Sequence, residues 1–372
     1  MAILTFNTKV HFGEGNRSYL PAELQVLSIT RPLFVTDKGV VNAGVFAMAT
    51  DAIAPKMLSA VFDATPANPT EDAVEAGLAF YVEHGCDGII GIGGGASLDL
   101  AKAIAVVVGE PAPLWDYCNR NPKPRPIKHT PPLVLMPTTS GTGSEVGRSA
   151  VIIFRNGIKA GVGCPTVVSV AICDPELTYS LPPYMTAATG MDALTHCVET
   201  FCSPAFNPPA DAIAIDGLKR IYDHIDSAVE RGTTDKQARQ QLMMGALEGA
   251  LCFQKGLGAV HSLSHALGAQ GHHHGTLNAI FLPHVLAVNA DAIFDKMTIM
   301  ATAMHLPADA NLSLTFARLN SRIGIPTGLR ALGVKTTEFD AIASAALADN
   351  AHKTNPKVLS HADYLQILSA AY

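Results

Sequence analysis

Apolar residues in the first half of the chain come in short, nearly unbroken runs. They are PLFVTD at 32–37, SAVFD at 59–63, DGIIGIGG at 87–94, PLVLMPTT at 132–139, SAVIIF at 149–154 and VVSVAICD at 167–174. None shows the strict alternation of a half-exposed strand, and several close on Asp, Gly or Thr. Between them lie amphipathic stretches such as EDAVEAGLAFYVEHG (71–85) and SLDLAKAIAVVVG (97–109). Apolar runs separated by helices predict a buried parallel sheet assembled from βα units. Near DPELTYSLPP (174–183) the pattern changes, and from Pro183 onward it is helical almost throughout. The chain therefore divides into an α/β domain with a parallel sheet, residues 1–180, and an all-helical domain, residues 181–372. A length of 372 residues agrees, since single cores stop growing near roughly 250–300 residues. The proline-rich NRNPKPRPIKHTPP (119–132) reads as a surface loop, and no internal repeat is evident.

Composition narrows the class. Hydrophobic residues make up 48% and mean hydropathy is +0.23, which indicates a well-buried globular protein. A formal charge of −6, a pI near 6.1 and the lack of any Lys/Arg cluster argue against a nucleic-acid-binding surface. The seven cysteines are scattered, with no CxxC, as suits reduced thiols in the cytosol. The opening MAILTFNTKVHFGEG has no basic region followed by a long apolar run, so no signal peptide is expected. No apolar run approaches the roughly 20 residues of a membrane span. The expectation is a cytoplasmic protein.

Two glycine- and hydroxyl-rich turns follow predicted strands. In GIGGGASLDLAK (91–102), three consecutive glycines lead into a helix. Bare amides at a helix N-terminus suit a pyrophosphate, and glycine allows close backbone approach. Gly91, Gly93 and Ala96 formally meet a relaxed GxGxxA fingerprint, which carries little weight here because the strand comes late in the fold. Tight strand–helix packing alone would also require such a turn. In PTTSGTGSEV (137–146), Thr138, Thr139, Thr142 and Ser144 offer hydroxyls to a ribose or phosphate. The alternative is a Ser/Thr turn capping a helix whose first turn ends at Glu145. Both segments fall at predicted strand C-termini, where α/β folds bind ligands, and that favours a nucleotide. Asp37, closing FVTDKG, suits an adenosine ribose diol and would repel a 2′-phosphate, favouring NAD. It could equally be an ordinary turn aspartate.

The second half carries metal-type chemistry. TAATGMDALTHCVETF (186–201) places Asp192 and His196 at i and i+4 on one helical face. GAVHSLSHALGAQGHHHGTLN (258–278) holds five of the 14 histidines. His261 and His265 are again i, i+4, and His272, His273 and His274 follow a glycine-containing turn. One carboxylate with two or three imidazoles suits Zn(II) or Fe(II) and leaves a position open for substrate. An Asp–His hydrogen bond holding a helix is the plainer reading of the first pair. A solvated histidine tract is disfavoured, because Val260, Leu263, Ala266 and Leu267 are interleaved.

Taken together, GGG-x-x-x-D-x-x-K, PTT-x-GTGSEV, TAATGMDALTH, G-x-x-H-x-x-x-H and HG-x-x-NAI-x-LPHV resemble the iron-containing alcohol dehydrogenase family, in its order, over about residues 30 to 290. The resemblance implies the dehydroquinate synthase-like fold: a dinucleotide-binding α/β domain, a helical domain and a site in the cleft between them. It implies metal ligands Asp192, His196, His261 and His274, with His265 a nearby active-site histidine. It places Asp37, Asn68, Gly94, Gly95, Ser97, Thr138, Thr139, Thr142 and Lys159 around a nicotinamide nucleotide. The implied activity is NAD-linked, metal-dependent interconversion of a primary alcohol and its aldehyde. A divalent ion with one carboxylate and three neutral imidazoles would carry net charge +1 and favour alkoxide. A maleylacetate-reductase-like enzyme, a dehydroquinate-synthase-type lyase and a non-catalytic metal-binding or filament-forming protein are the alternatives. A homodimer or larger assembly is usual for the family.

Departures from the family pattern collect around the implied substrate cleft. Ala96 stands where Ser is usual, Gly147-Arg148 follow GSEV, and the segment between His265 and His274 is one residue short. Gln254-Lys255 replaces an amide followed by a small residue. Two readings of Lys255 compete. Its stem packs and its ammonium reaches solvent, or the ammonium anchors an anionic end of the substrate, making a short hydroxy acid or semialdehyde the preferred substrate.

Overall fold

The computed structural model describes residues 6, 8–164 and 167–372. Residues 1–5 and 7, on which part of the signal-peptide expectation rests, lie outside the described residues. By internal contacts the chain forms two compact units. One comprises Phe6–Thr139 and Gly143–Leu181, and the other Ser140–Thr142 with Pro182–Tyr372.

The first unit contains eight strands among the described residues. They are β1 (Lys9–Phe12), β2 (Pro32–Val35), β3 (Val61–Phe62), β4 (Gly88–Gly93), β5 (Leu133–Pro137), β6 (Ser149–Ile153), β7 (Lys159–Gly163) and β8 (Val170–Cys173). Six form one parallel sheet in the order β1-β8-β5-β4-β2-β3. In register, Ile90 stands opposite Phe34 on one side and Val134 on the other. The reason for the unbroken apolar runs is that successive side chains enter two different cores. Leu33, Val35, Ile89 and Leu135 pack with Leu98, Ala101 and Ile104 of the Gly95–Gly109 helix. Phe34, Ile90, Ile92 and Val134 pack on the other face with Leu20, Leu24 and Val45. Each such side chain contributes about 1.5–3 kcal/mol by leaving water.

SAVIIF is a strand but not part of the parallel sheet. β6 pairs antiparallel with β7, from Ser149 opposite Gly163 to Ile153 opposite Lys159, and its burial alternates residue by residue. A hairpin can face a core on one side only, which the sequence run did not distinguish from a central strand. β1 and β7 are strands that the pattern missed. KVHF is a four-residue edge strand, and KAGVG carries two glycines, so neither presents an apolar run. Residues 139–147 make turns rather than the helix first considered around Glu145.

The second unit is helical, with no strand among its described residues. The Pro183–Cys202 helix starts on a Pro pair suited to N1 and is buried continuously from Thr186 to Cys202. It packs against the Pro208–Arg231, Lys236–Cys252 and His274–Asn289 helices. Surrounded in this way, its surface is mostly small or apolar: Ala187, Ala188, Gly190, Ala193, Leu194 and Val198. Asp192 and His196 are buried within that surface, so their polarity needs an explanation. No helix is long and apolar enough to cross a membrane among the described residues.

Candidate active site

Asp192 and His196 project from the Pro183–Cys202 helix, His261 from the Ala259–Gly268 helix, and His274 from the first position of the His274–Asn289 helix. One ligand atom each of Asp192, His196 and His261 lies within 4.8 Å of the other two. Around Asp192 Oδ1 stand His196 Nε2 at 3.8 Å, His261 Nε2 at 4.0 Å and His274 Nε2 at 3.7 Å. These separations exceed hydrogen-bond range. They are a few tenths of an ångström wider than the roughly 3.4 Å edge of a tetrahedron of ligands about 2.1 Å from Zn(II) or Fe(II).

The buried polar atoms fit a cation. His196 Nδ1 has no hydrogen-bond partner, and Nε2 finds only the distant Asp192 carboxylate, a costly arrangement for a buried ring. Burial holds His196 down to about 4, the nearby Asp192 charge offsetting this only in part, so the ring is neutral at neutral pH. The Asn278 side-chain amide donates to Asp192 Oδ1 at 2.6 Å and stands 3.2 Å from both His261 Nε2 and His274 Nε2. Three helices thus bring a carboxylate oxygen and imidazole nitrogens around one side-chain amide, a set of atoms that could ligate a divalent ion.

His265 stands beside this cluster. Its ring stacks on that of His274, with centroids 5.4 Å apart and planes 9° from parallel. Its Nδ1 lies 3.2 Å from Asp349 Oδ2, and its side chain is 28% exposed. Because a carboxylate accepts, Nδ1 carries the proton in this contact. His273 caps the next helix instead, its Nδ1 accepting from the Thr276 amide at 3.3 Å. Phe253 meets the His196 ring edge-on at 5.3 Å between centroids.

Lys255 is neither solvent-facing nor at this cluster. It is buried, donating to Phe201 O at 3.1 Å and pairing with Asp211. Lys296 donates to the carbonyls of Phe201, Cys202 and Ser203. The two ammonium groups close the C-terminus of the helix whose middle bears Asp192 and His196, where positive charge complements the helix dipole. The anionic-anchor reading of Lys255 is therefore corrected: its donors are committed to the fold.

In the first unit, Asp37 ends the β2 segment and caps the short Lys38–Asn42 helix, Oδ1 accepting from the Val40 amide at 3.0 Å. Its Oδ2 accepts from Ser97 Oγ at 3.2 Å. Gly93 has φ +155, and a Cβ there would lie 2.6 Å from Ser97 and 3.5 Å from Asp37 Oδ2, so only glycine makes this turn. The helix begins at Gly95 immediately beyond, leaving its first amides without intrahelical partners. Thr138 is buried and donates its amide to Gly93 O at 2.9 Å, and Thr139 lies against Gly94. Asn68 Oδ1 accepts from Lys159 Nζ at 2.8 Å. Asp37, Gly94, Ser97, Thr138 and Thr139 meet at the C-terminal ends of β2, β4 and β5, whereas the Asn68–Lys159 pair lies at the start of β7. Thr142 instead clusters with the helical unit.

The conspicuous Asp99 and Lys102 serve the loop behind. Asp99 accepts from Ser144 Oγ at 2.5 Å and from the Val151 amide at 3.0 Å. Lys102, wholly buried, donates to Ser144 O and Ser149 O. The Ser144 hydroxyl considered for a nucleotide is thus directed at Asp99. The residues that sequence reasoning missed are Glu199, Asn278 and Asp349. Asn278 and Glu199 sit inside quoted motifs, but nothing in their spacing separates them from ordinary helix residues. Asp349 is 84 positions from its histidine.

Comparison with known proteins agrees with this chemistry. A family model described as iron-containing alcohol dehydrogenase matches residues 7–175, and one described as Fe-containing alcohol dehydrogenase family, C-terminal, matches residues 186–372. A 4-hydroxybutyrate dehydrogenase of Cupriavidus necator is 48% identical over 380 residues, covering 99% of each chain. A solved 1,3-propanediol oxidoreductase superposes with TM-score 0.92 at 32% identity, covering 100% of both chains. A sulfoacetaldehyde reductase of Bifidobacterium kashiwanohense, solved with NAD+, gives 0.89 at 26% identity, covering 100% of this chain and 98% of that one.

Proposed function

Because this chain belongs to the iron-containing alcohol dehydrogenase family of metal-dependent alcohol and aldehyde oxidoreductases, we propose that it interconverts a short hydroxy acid and its semialdehyde with NAD(H). The observation that carries the reading is the mutual approach of buried Asp192, His196 and His261 within 4.8 Å, with His274 Nε2 3.7 Å from the same Asp192 oxygen. Asp192, His196, His261 and His274 are the proposed ligands of one Fe(II) or Zn(II). His273 is set aside because its ring nitrogen caps the following helix. A divalent ion held by these residues would supply Lewis-acid polarisation of the substrate oxygen, and bound NAD(H) would supply the hydride chemistry.

The chain's own groups do the rest. His196, kept neutral by burial, offers a lone pair at working pH. His265 takes the hydroxyl proton on Nε2 in the oxidative direction, while Asp349 holds Nδ1 protonated. Asp37 and Ser97, the Gly94-Gly95 amides, Thr138, Thr139 and the Asn68–Lys159 pair form the proposed nucleotide cradle. Substrate choice is supported by the near-full-length similarity to a 4-hydroxybutyrate dehydrogenase. We place the enzyme in the cytoplasm as a homodimer or larger assembly. All seven thiols are free and buried, as suits a reducing compartment.

The test is NADH formation by metal-reconstituted protein on 4-hydroxybutyrate and on 1-butanol, with metal content measured in parallel. At least tenfold higher kcat/KM on the hydroxy acid is expected, and equal efficiency overturns the substrate assignment. Each ligand→Ala variant is expected to lose metal and activity together. Full metal retention in His274→Ala with loss in His273→Ala overturns the ligand set.

A further inference from the structure

Glu199 is a buried carboxylate on the same helix as Asp192 and His196, about one turn beyond His196. Among the described residues no lysine or arginine pairs with it. Three backbone N–H groups and one ring nitrogen of a single segment face it instead. Its Oε1 accepts from the Val260 amide at 2.7 Å. Its Oε2 accepts from the Gly258 amide at 3.0 Å and the His261 amide at 3.3 Å. Oε2 also lies 2.7 Å from Nδ1 of the His261 ring. Gly258 precedes the Ala259–Gly268 helix, so these are the unsatisfied amides of that helix's N-terminus, where negative charge is favoured. A Cβ at Gly258 would lie 2.7 Å from Glu199 Oε1, so the fit leaves no room for a side chain.

We propose that Glu199 is the positioning residue of the metal centre: it fixes His261 as the Nδ1–H tautomer and locks the His261 helix to the helix that carries the other two buried ligands. Oε2 already accepts from two backbone amides and faces the ring as an acceptor, so the ring atom at 2.7 Å is the donor. Nδ1 therefore carries hydrogen, and Nε2 turns its lone pair toward Asp192 Oδ1 and Asn278. A carboxylate behind a ligating imidazole orients the ring and raises its basicity.

The inference rests on the proposed ligand set, and the experiment separates the two. Cobalt(II) is titrated into metal-free parent and metal-free Glu199→Gln, reading affinity and the visible ligand-field bands. Gln keeps the length and one acceptor but aims an N–H at the donors of Oε2. A 10- to 100-fold weaker cobalt affinity with altered bands is expected, in protein whose far-ultraviolet circular dichroism matches the parent. Unchanged affinity and bands overturn the proposal while leaving the ligand set standing. A parent that binds no cobalt overturns the ligand set itself. Should Glu199→Gln not fold, nitrogen-15 shifts of His261 in zinc-loaded parent decide the matter. A protonated Nδ1 with metal-bound Nε2 is expected, and the opposite tautomer overturns the proposal.

Discussion

Gly275 follows the proposed ligand His274 directly, and replacing it with alanine tests the helix–helix contact on which the metal geometry depends. A Cβ at this position would lie 2.3 Å from the carbonyl oxygen of Ala188, 2.9 Å from its carbon and 3.2 Å from Asp192 Cβ. Two helices would have to part by about 1 Å to restore ordinary contact, because the obstacle is helix backbone rather than a movable side chain. Overpacking of this kind costs about 1–3 kcal/mol. The better helix propensity of alanine offsets at most about 1 kcal/mol, and less in a first turn. The larger effect is on the site. His274 and Asn278 travel with the displaced helix, and Asp192 stays with the other. A shift of about 1 Å is several times the ~0.2 Å tolerance of metal–ligand distances. Gly275→Ala is therefore expected to bind cobalt(II) or zinc(II) at least tenfold more weakly, with a lower urea midpoint for the metal-free form. Parent-like metal affinity in the variant would refute the argument that the glycine sets the ligand spacing.

Asp37→Gly is expected to narrow the NAD preference, because the variant neither accepts from a ribose diol nor repels a 2′-phosphate; equal kcat/KM of the parent with NAD and NADP refutes the assignment. Lys255→Met removes the partner of Asp211 and a donor to the Phe201 carbonyl. It is expected to destabilise by about 1–3 kcal/mol, discounted because Asp211 is partly exposed, while the ratio of rates on 4-hydroxybutyrate and 1-butanol stays constant. A ratio that falls tenfold refutes the structural role. His196 titrates at about 4 in the folded metal-free protein against 6.5 normally. The unfolded chain binds the proton first as pH falls, so stability is full above about pH 6.5 and declines toward about pH 4, by up to ~1.4 kcal/mol per pH unit. The check compares parent with His196→Gln by urea unfolding of metal-free protein at about pH 7 and about pH 5, and an identical pH response in both refutes it.

Much of the molecule was legible along the chain. The unbroken runs at 32–37, 87–94 and 132–139 became central parallel strands, because a strand buried on both faces needs apolar residues at every position. From Pro183 onward the described elements are all helices, as the pattern there reads, and Asp192/His196 were visible as a pair because i, i+4 is a property of one helix. Local rules reach that far and no further. SAVIIF looked like a central strand, and only pairing with β7 made it half of a hairpin. Lys255 looked like a charge beside the metal helix, and only the fold turned it toward Asp211 and the Phe201 carbonyl. Glu199 meets His261 across 62 positions and Asp349 meets His265 across 84. Hydrogen bonds between side chains on different helices leave no periodicity in the sequence, so the partners of these histidines were decided by tertiary packing alone.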